Sequence, residues 1–386
     1  MGAAIVAGCS VAVLPTPTDR PTVRPTARPS LMPTPPSTPK PTATAVSLRE
    51  RAAQLLLVGF RGTDLQQDDP LLTAIGQGLG GVVLFDRDQQ TGGARNIQSP
   101  AQLMALTATL RKAAGDRTLL IAVDQEGGKV ARLGPQNGFP QTPSEADVGA
   151  TGDPGHARSV GAATGSTLAG AGINLNLAPV VDLNVNPDNP SIGALGRSFS
   201  ADVNVVVEMA SAVIAGLHES AVLATLKHFP GLGSATGDTD HEFVDVSATW
   251  TRRELQPFAQ LIANGTPDVV MVANALNGQL DAQFPSTLSA ATVAVLRQQL
   301  GWDGVIVTDD LQAGALRDSY APSEIVRLAL AAGSDLLLFA NQQVYEPDVL
   351  ASTLDTIEEL VANGKISEEQ IDASVARLEQ LSRRAP

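Results

Sequence analysis

"AVLATLKHFPGLGSATGDTDHEF", Ala221 to Phe243, changes character in its middle. The first part is a continuous apolar run ending in Lys227 and His228; the second is too rich in glycine for a regular helix and carries Asp238, Asp240 and His241. A run that is apolar throughout, rather than alternating, suits a parallel strand covered on both faces. A polar loop directly after such a strand is where a rigid scaffold presents functional groups.

Working outward, seven more runs of this kind appear: "LLLVGF" (55–60), "GGVVLF" (80–85), "TLLIAVD" (118–124), "INLNLAPVVDL" (173–183), "DVVMVANA" (268–275), "GVIVTDD" (304–310) and "DLLLFA" (335–340). Amphipathic stretches such as "PAQLMALTATLRKAAG", "VNVVVEMASAVIAGLHES" and "SEIVRLALAAG" lie between them. Repeated strand–helix units imply right-handed crossovers. Eight of them predict a (β/α)8 barrel of the TIM type, an α/β fold. The competing architecture is a doubly wound open sheet, but no GxGxxG phosphate loop follows the first run. In a barrel the site forms at the carboxyl ends of the strands. Polar groups do collect there: "DQEGG" after the third run, "DLNVNPDNP" after the fourth, "KHFPG" at the fifth, "TDD" at the seventh.

With 43% hydrophobic and 17% charged residues in 386, the chain has material for a sizeable core. Its net charge is −14; between Pro15 and Pro41, four basic residues (Arg20, Arg24, Arg28, Lys40) against Asp19 leave −17 for the remainder. Nucleic acid, which needs a concentrated positive field, is therefore excluded as a partner. The single cysteine, Cys9, excludes an intrachain disulfide and a multi-cysteine zinc site.

"MGAAIVAGCS" places small residues just before Cys9 and resembles the lipobox of bacterial lipoproteins. Residues 1–14 then read as a partial lipoprotein signal. It lacks a basic n-region and its apolar run is short, so the start is expected to lie inside the true signal. Residues 15–45, with ten prolines up to Pro41 set among Thr and Ser, cannot bury a core and read as a disordered, semi-rigid stalk. Residues 46–386 would form the barrel domain. A lipid on Cys9 would tether that domain outside a membrane.

Asp309 and Asp310 end an apolar strand where a carboxylate enters the barrel mouth and can serve as nucleophile, general base or metal ligand. An N-cap for "LQAGAL" accounts for one of them, not both. Asp124 has the same placement, with Arg132 eight residues on. A carboxylate beside a guanidinium suits paired sugar hydroxyls. Arg197, Lys227 and His228 add donors.

In their order, "DQEGGKVARL", "LAPVVDLNVNP", "IGALGRSFS", "LKHFPGLG", "GVIVTDDL" and "AGSDLLL" resemble the N-terminal barrel domain of family 3 glycoside hydrolases, closest to the single-domain β-N-acetylhexosaminidase branch, which includes lipoproteins. The resemblance covers nearly all of 47–386. It implies Asp309 as the catalytic nucleophile, Asp124, Arg132, Arg197, Lys227 and His228 as the grip on the innermost sugar, and no metal or cofactor.

The implied proton donor is less direct. Two-domain relatives supply it from a second domain, for which the residues after the eighth run are expected to leave no room. The single-domain branch uses an Asp-x-His pair on the mobile loop after the fifth strand. Here Leu232 stands in place of the second histidine of "KHFPGHG", and the ending Asp238-Thr239-Asp240-His241 is off by one. In one reading His241 is the acid/base and Asp238 or Asp240 orients it. In the other, Asp238 keeps the aspartate position, Asp240 falls where the histidine should be, and His241 faces solvent.

The expected function is retaining hydrolysis of terminal β-linked N-acetylglucosamine from cell-wall or chitin-type oligosaccharides through a covalent glycosyl–enzyme. The alternatives are a β-glucosidase or β-xylosidase of the same mechanism, and a glycan-binding surface lipoprotein with impaired turnover.

Overall fold

The computed structural model describes residues 46–385 together with residues 1, 2, 10, 12 and 13. Cys9 and the proline-rich stretch 15–45 lie outside the described residues. Val46–Pro386 makes up one compact unit.

All eight apolar runs contain a strand: β1 (Leu56–Gly59), β2 (Gly81–Leu84), β3 (Leu120–Val123), β4 (Leu175–Asn176), β5 (Leu223–Phe229), β6 (Val269–Val272), β7 (Val305–Thr308) and β8 (Leu337–Phe339). They pair in parallel in chain order, and β8 returns to β1 with Leu337 opposite Leu56. A parallel bridge between Val307 and Leu336 joins the last seam, so the sheet closes on itself. Every strand residue is buried, as continuous Val/Ile/Leu runs require when helices cover the outer face.

Helices fill the intervals where the amphipathic stretches predict them. Ser99 caps Pro100–Ala114 through the amide of Gln102, Asp202 caps Val203–His218 through Asn204, and Gly333, at φ 102°, ends Pro322–Ala332 in the left-handed region. Phe229 at the end of β5 meets Phe258 of helix Gln256–Ala263 edge-on, ring centres 5.3 Å apart, which ties the strand bearing Lys227 and His228 to its covering helix.

The fourth run departs from regularity. Only two residues of "INLNLAP" are strand, and amide side chains extend the short main-chain ladder toward β3 at both ends. Asn174 accepts from the Ile121 amide at 2.8 Å and donates to the Leu119 carbonyl at 2.9 Å. Asn176 does the same for both backbone groups of Gln125, at 3.0 Å each. The alternation Asn174/Asn176 puts both amides on one side of the strand, as a period of two dictates.

Candidate active site

One cavity of about 180 Å³ opens at the carboxyl ends of the strands. Val83, Leu177, Met271 and Leu338, from four different strands or their ends, contribute its apolar part. Asp124, Arg132, Arg197, Lys227, His228, Asp238 and Asp309 all line it as well, so seven of the eight residues singled out for substrate chemistry share one space.

The polar side of the cavity is a chain of charges. Asp124 lies just past β3 and accepts from Lys227 Nζ at 2.8 Å; Arg132 Nη2 approaches its other oxygen at 3.7 Å. Burial alone would raise the Asp124 carboxyl, but the charges of Lys227 and Arg132 outweigh it and hold the group below its ordinary value. Lys227 is bound on its second side by Glu126, 2.7 Å away. Burial would lower the lysine; the two carboxylates keep it above its usual range and therefore charged.

Glu126 also takes Arg197 in a two-pronged pair, Nε at 2.7 Å and Nη2 at 2.8 Å, while Arg197 Nη1 donates to the Ser191 carbonyl. Such paired bonds fix a guanidinium in orientation as well as in place. Glu126 was not singled out from the sequence. Its signal is position: two residues beyond Asp124, it returns to the same side of the chain. Gln125 between them turns away and pairs with the backbone of Leu133.

Asp182 is the second residue that sequence reasoning missed. Fully buried, it accepts from His228 Nδ1 at 2.7 Å, from the His228 amide and, at 2.7 Å, from the amide of Leu232. With Nδ1 taken, Nε2 is the ring nitrogen left to meet a ligand. Leu232, standing in place of the second histidine, is buried and shapes the loop through its backbone.

Asp309 is half-buried at the end of β7, its amide tied to the Val272 carbonyl and its Oδ1 accepting from the Asp310 amide at 2.8 Å. Asp310 is buried. Desolvation pushes its carboxyl up to about 7, against the pull of the Ala340 and Gln312 amides on Oδ1. The two neighbours thus differ in kind, with Asp309 at the cavity and Asp310 built into the wall.

On the loop after β5 the structure separates the two readings of "GDTDH". Asp238 and Asp240 line the cavity; His241 is exposed and not part of the lining. The reason is a tight turn. The amides of His241 and Glu242 both donate to the Asp238 carbonyl, and the Asp240 amide donates to Asp238 Oδ1. At such a turn adjacent side chains diverge, so a histidine directly after a cavity-facing aspartate points out. The expectation that His241 carries the proton is therefore not met by the geometry.

A sequence profile of the glycosyl hydrolase family 3 N terminal domain matches residues 47–381. β-Hexosaminidase A of Pseudoalteromonas piscicida is 33% identical over 341 residues, which cover 80% of this chain and 54% of that protein. A family 3 β-N-acetylglucosaminidase from Paenibacillus superposes with a TM-score of 0.79 at 36% identity, covering 88% of this chain and 63% of its own. The β-N-acetylhexosaminidase of Beutenbergia cavernae does so at 0.77 and 34%, covering 87% and 98%. The chain spans about half the length of the first of these and under two thirds of the second. With a closed eight-stranded barrel, a cavity at its carboxyl face and a match across almost the whole compact unit, this chain belongs to glycosyl hydrolase family 3 through its N-terminal domain.

Proposed function

We propose that the protein is a retaining exo-β-N-acetylglucosaminidase. The observation that carries this is the meeting, in one cavity, of a strand-end carboxylate, Asp309, with the charged cluster of Asp124, Lys227, Arg132 and Arg197, in a chain whose relatives are named β-hexosaminidases.

In this reading a terminal sugar enters ring-first and stops on the apolar floor. Asp124 accepts from adjacent ring hydroxyls, while Lys227, Arg132 and His228 donate to oxygens around the ring. Arg197, held by Glu126, completes the rim. Asp309 attacks the anomeric carbon to form a glycosyl ester, which water then hydrolyses. Because the strand holds Asp309 in place before the sugar arrives, little orientation remains to be gained at the moment of reaction.

The reading extends to a tether outside a membrane, with Cys9 as the lipidated residue. Its support is the small-residue run before Cys9 and the proline spacer that follows it. The substrate would then be cell-wall fragments or chitin-type oligosaccharides met outside the cell.

The test is a panel of 4-nitrophenyl β-glycosides with and without the 2-acetamido group, followed by trapping with the matching 2-deoxy-2-fluoro glycoside. Turnover of the 2-acetamido substrate well above the glucoside and xyloside is expected, as is a covalent adduct mapping to Asp309. Preference for the glucoside or xyloside would change the assigned sugar. Binding without turnover or adduct would leave a glycan-binding protein.

A further inference from the structure

We propose that Asp240 is the residue that protonates the departing glycosidic oxygen and then deprotonates the attacking water. This rests on the glycosidase reading above and adds the group that completes its chemistry.

A retaining mechanism needs an acid on the opposite side of the scissile bond from the nucleophile. Of the carboxyl groups that line the cavity, most are occupied. Asp124 is held by Lys227, and Asp310 is buried in the wall, its Oδ1 taken by two backbone amides and its Oδ2 shut away from solvent without a hydrogen-bond partner among the described residues. Asp309 is the nucleophile. Asp238 accepts the Asp240 amide on Oδ1 at 3.1 Å, a bond that closes the turn. Asp240 is different: among the described residues, no side-chain hydrogen bond or ion pair engages its carboxyl, and it sits half-buried in the lining.

Its backbone is fixed even though its side chain is free. The Asp240 carbonyl accepts from the Gly314 amide at 2.9 Å, and the Thr239 carbonyl from the Ala315 amide at 3.2 Å. Those two bonds dock the loop onto the segment that follows Asp309 and Asp310, so acid and nucleophile are mounted on two segments joined to each other. The groups facing Asp240 are Asp309 and Asp310 after β7, Asp238 and His241 on its own loop, and Arg197 after β4. Burial, then repulsion from Asp309 and Asp238, pushes its carboxyl up to about 6, against the weaker pull of Arg197 and His241. An acid so placed is protonated in the mildly acidic range where it must donate.

The step balances. As Asp309 bonds to the anomeric carbon, that carbon's bond to the glycosidic oxygen breaks, and the Asp240 proton passes to this oxygen, which leaves as an alcohol. The Asp240 carboxylate then takes a proton from water while the resulting hydroxide bonds to the anomeric carbon and the ester bond to Asp309 breaks. Sugar leaves, and both carboxyl groups return to their starting states.

The test compares Asp240→Ala, the near-isosteric Asp240→Asn and His241→Ala on one sugar carrying three leaving groups: N-acetylglucosamine in a β-1,4 disaccharide, 4-nitrophenol and 2,4-dinitrophenol. Both Asp240 variants should lose roughly 10²- to 10⁴-fold on the disaccharide and under about tenfold on the dinitrophenyl substrate, which departs without a proton. Azide should restore turnover of Asp240→Ala and yield the β-glycosyl azide. The alkaline fall in kcat/KM should vanish in Asp240→Asn while His241→Ala behaves as wild type. A leaving-group dependence in His241→Ala with none in the Asp240 variants would overturn the assignment. So would equal loss on all three leaving groups at an unchanged Tm. Because the comparison is internal to one sugar, a wild type that prefers glucosides corrects the substrate and leaves this test intact; a wild type inert on every sugar overturns both.

Discussion

Glu126 grips Arg197 with both carboxylate oxygens, at 2.7 and 2.8 Å, and through its Oε1 also holds Lys227 at 2.7 Å. One buried anion thus sets the position of two cations, Lys227 on β5 and Arg197 on the loop after β4. Removing it leaves Lys227 and Arg197 short of a partner in a desolvated place. Glu126→Gln should cost about 3 to 5 kcal/mol of stability, the usual penalty for breaking a buried pair from one side. Urea denaturation at constant pH checks this, and KM should rise together with the loss because the grip is displaced.

With Asp309 as the proposed nucleophile, Asp309→Asn should preserve the circular dichroism spectrum and melting temperature and lower kcat/KM by several orders of magnitude, because the amide cannot form the glycosyl ester. Asp310→Asn should be much milder. Equal losses in the two variants at equal stability would assign the nucleophile wrongly.

Gly314 is small for a reason. A Cβ built there would lie 2.5 Å from the His241 carbonyl oxygen and 2.6 Å from its carbon. Gly314→Ala must push the loop bearing Asp240 away from the segment that follows Asp309. A displacement near 1 Å is expected to cost on the order of 10²-fold in kcat on substrates with poor leaving groups, with little change in Tm. Dinitrophenyl substrates should be spared.

Glu254 offers a stability test away from the chemistry. It is buried, and desolvation raises its carboxyl from 4.5 to about 7, partly offset by hydrogen bonds from Ser234 and Thr251. The folded chain therefore keeps its proton where the unfolded chain releases it. The contribution is fully present below about pH 4.5 and is lost as pH rises through about 7. Wild-type stability should fall across that window, and the fall should be shallower in Glu254→Gln. A slope that is unchanged in the variant would remove Glu254 as its source.

For the tether, a full-length protein made with a functional export signal should partition into membranes, and Cys9→Ser should release it. Retention of the serine variant in the membrane fraction would rule out anchoring through Cys9.

Much of the fold was legible because burial on both faces leaves a plain mark: each continuous Val/Ile/Leu run contains a barrel strand, and Asp124, Lys227, His228, Asp309 and Asp310 from the third, fifth and seventh runs reach one cavity, whereas the polar groups of "DLNVNPDNP" do not line it. Glu126 and Asp182 escaped notice for a physical reason. Their partners, Arg197 and His228, lie 71 and 46 residues away, and no local pattern announces a pairing made across loops. The acid loop failed differently. Residue spacing places Asp240 and His241 side by side, but only the hydrogen bonds of the turn at Asp238 decide which side chain faces inward. The irregular fourth strand was hidden too, since asparagines that clasp a neighbouring strand's backbone look, in sequence, like ordinary interruptions of an apolar run.

Those asparagines have a consequence for how the molecule breathes. Asn176 binds both the amide and the carbonyl of Gln125, the residue between Asp124 and Glu126. The seam between β3 and β4 is held by main-chain bonds, from the Asn174 amide to the Ile121 carbonyl and from the Leu177 amide to the Val123 carbonyl, and is clasped at either end by a side-chain amide. A side-chain clasp opens by rotation of one side chain without parting the strands, so the amides of Ile121 and Gln125 should exchange with solvent deuterium ahead of those held by main-chain bonds. Asp124 and Glu126, on either side of Gln125, should then gain freedom while the barrel wall stays closed.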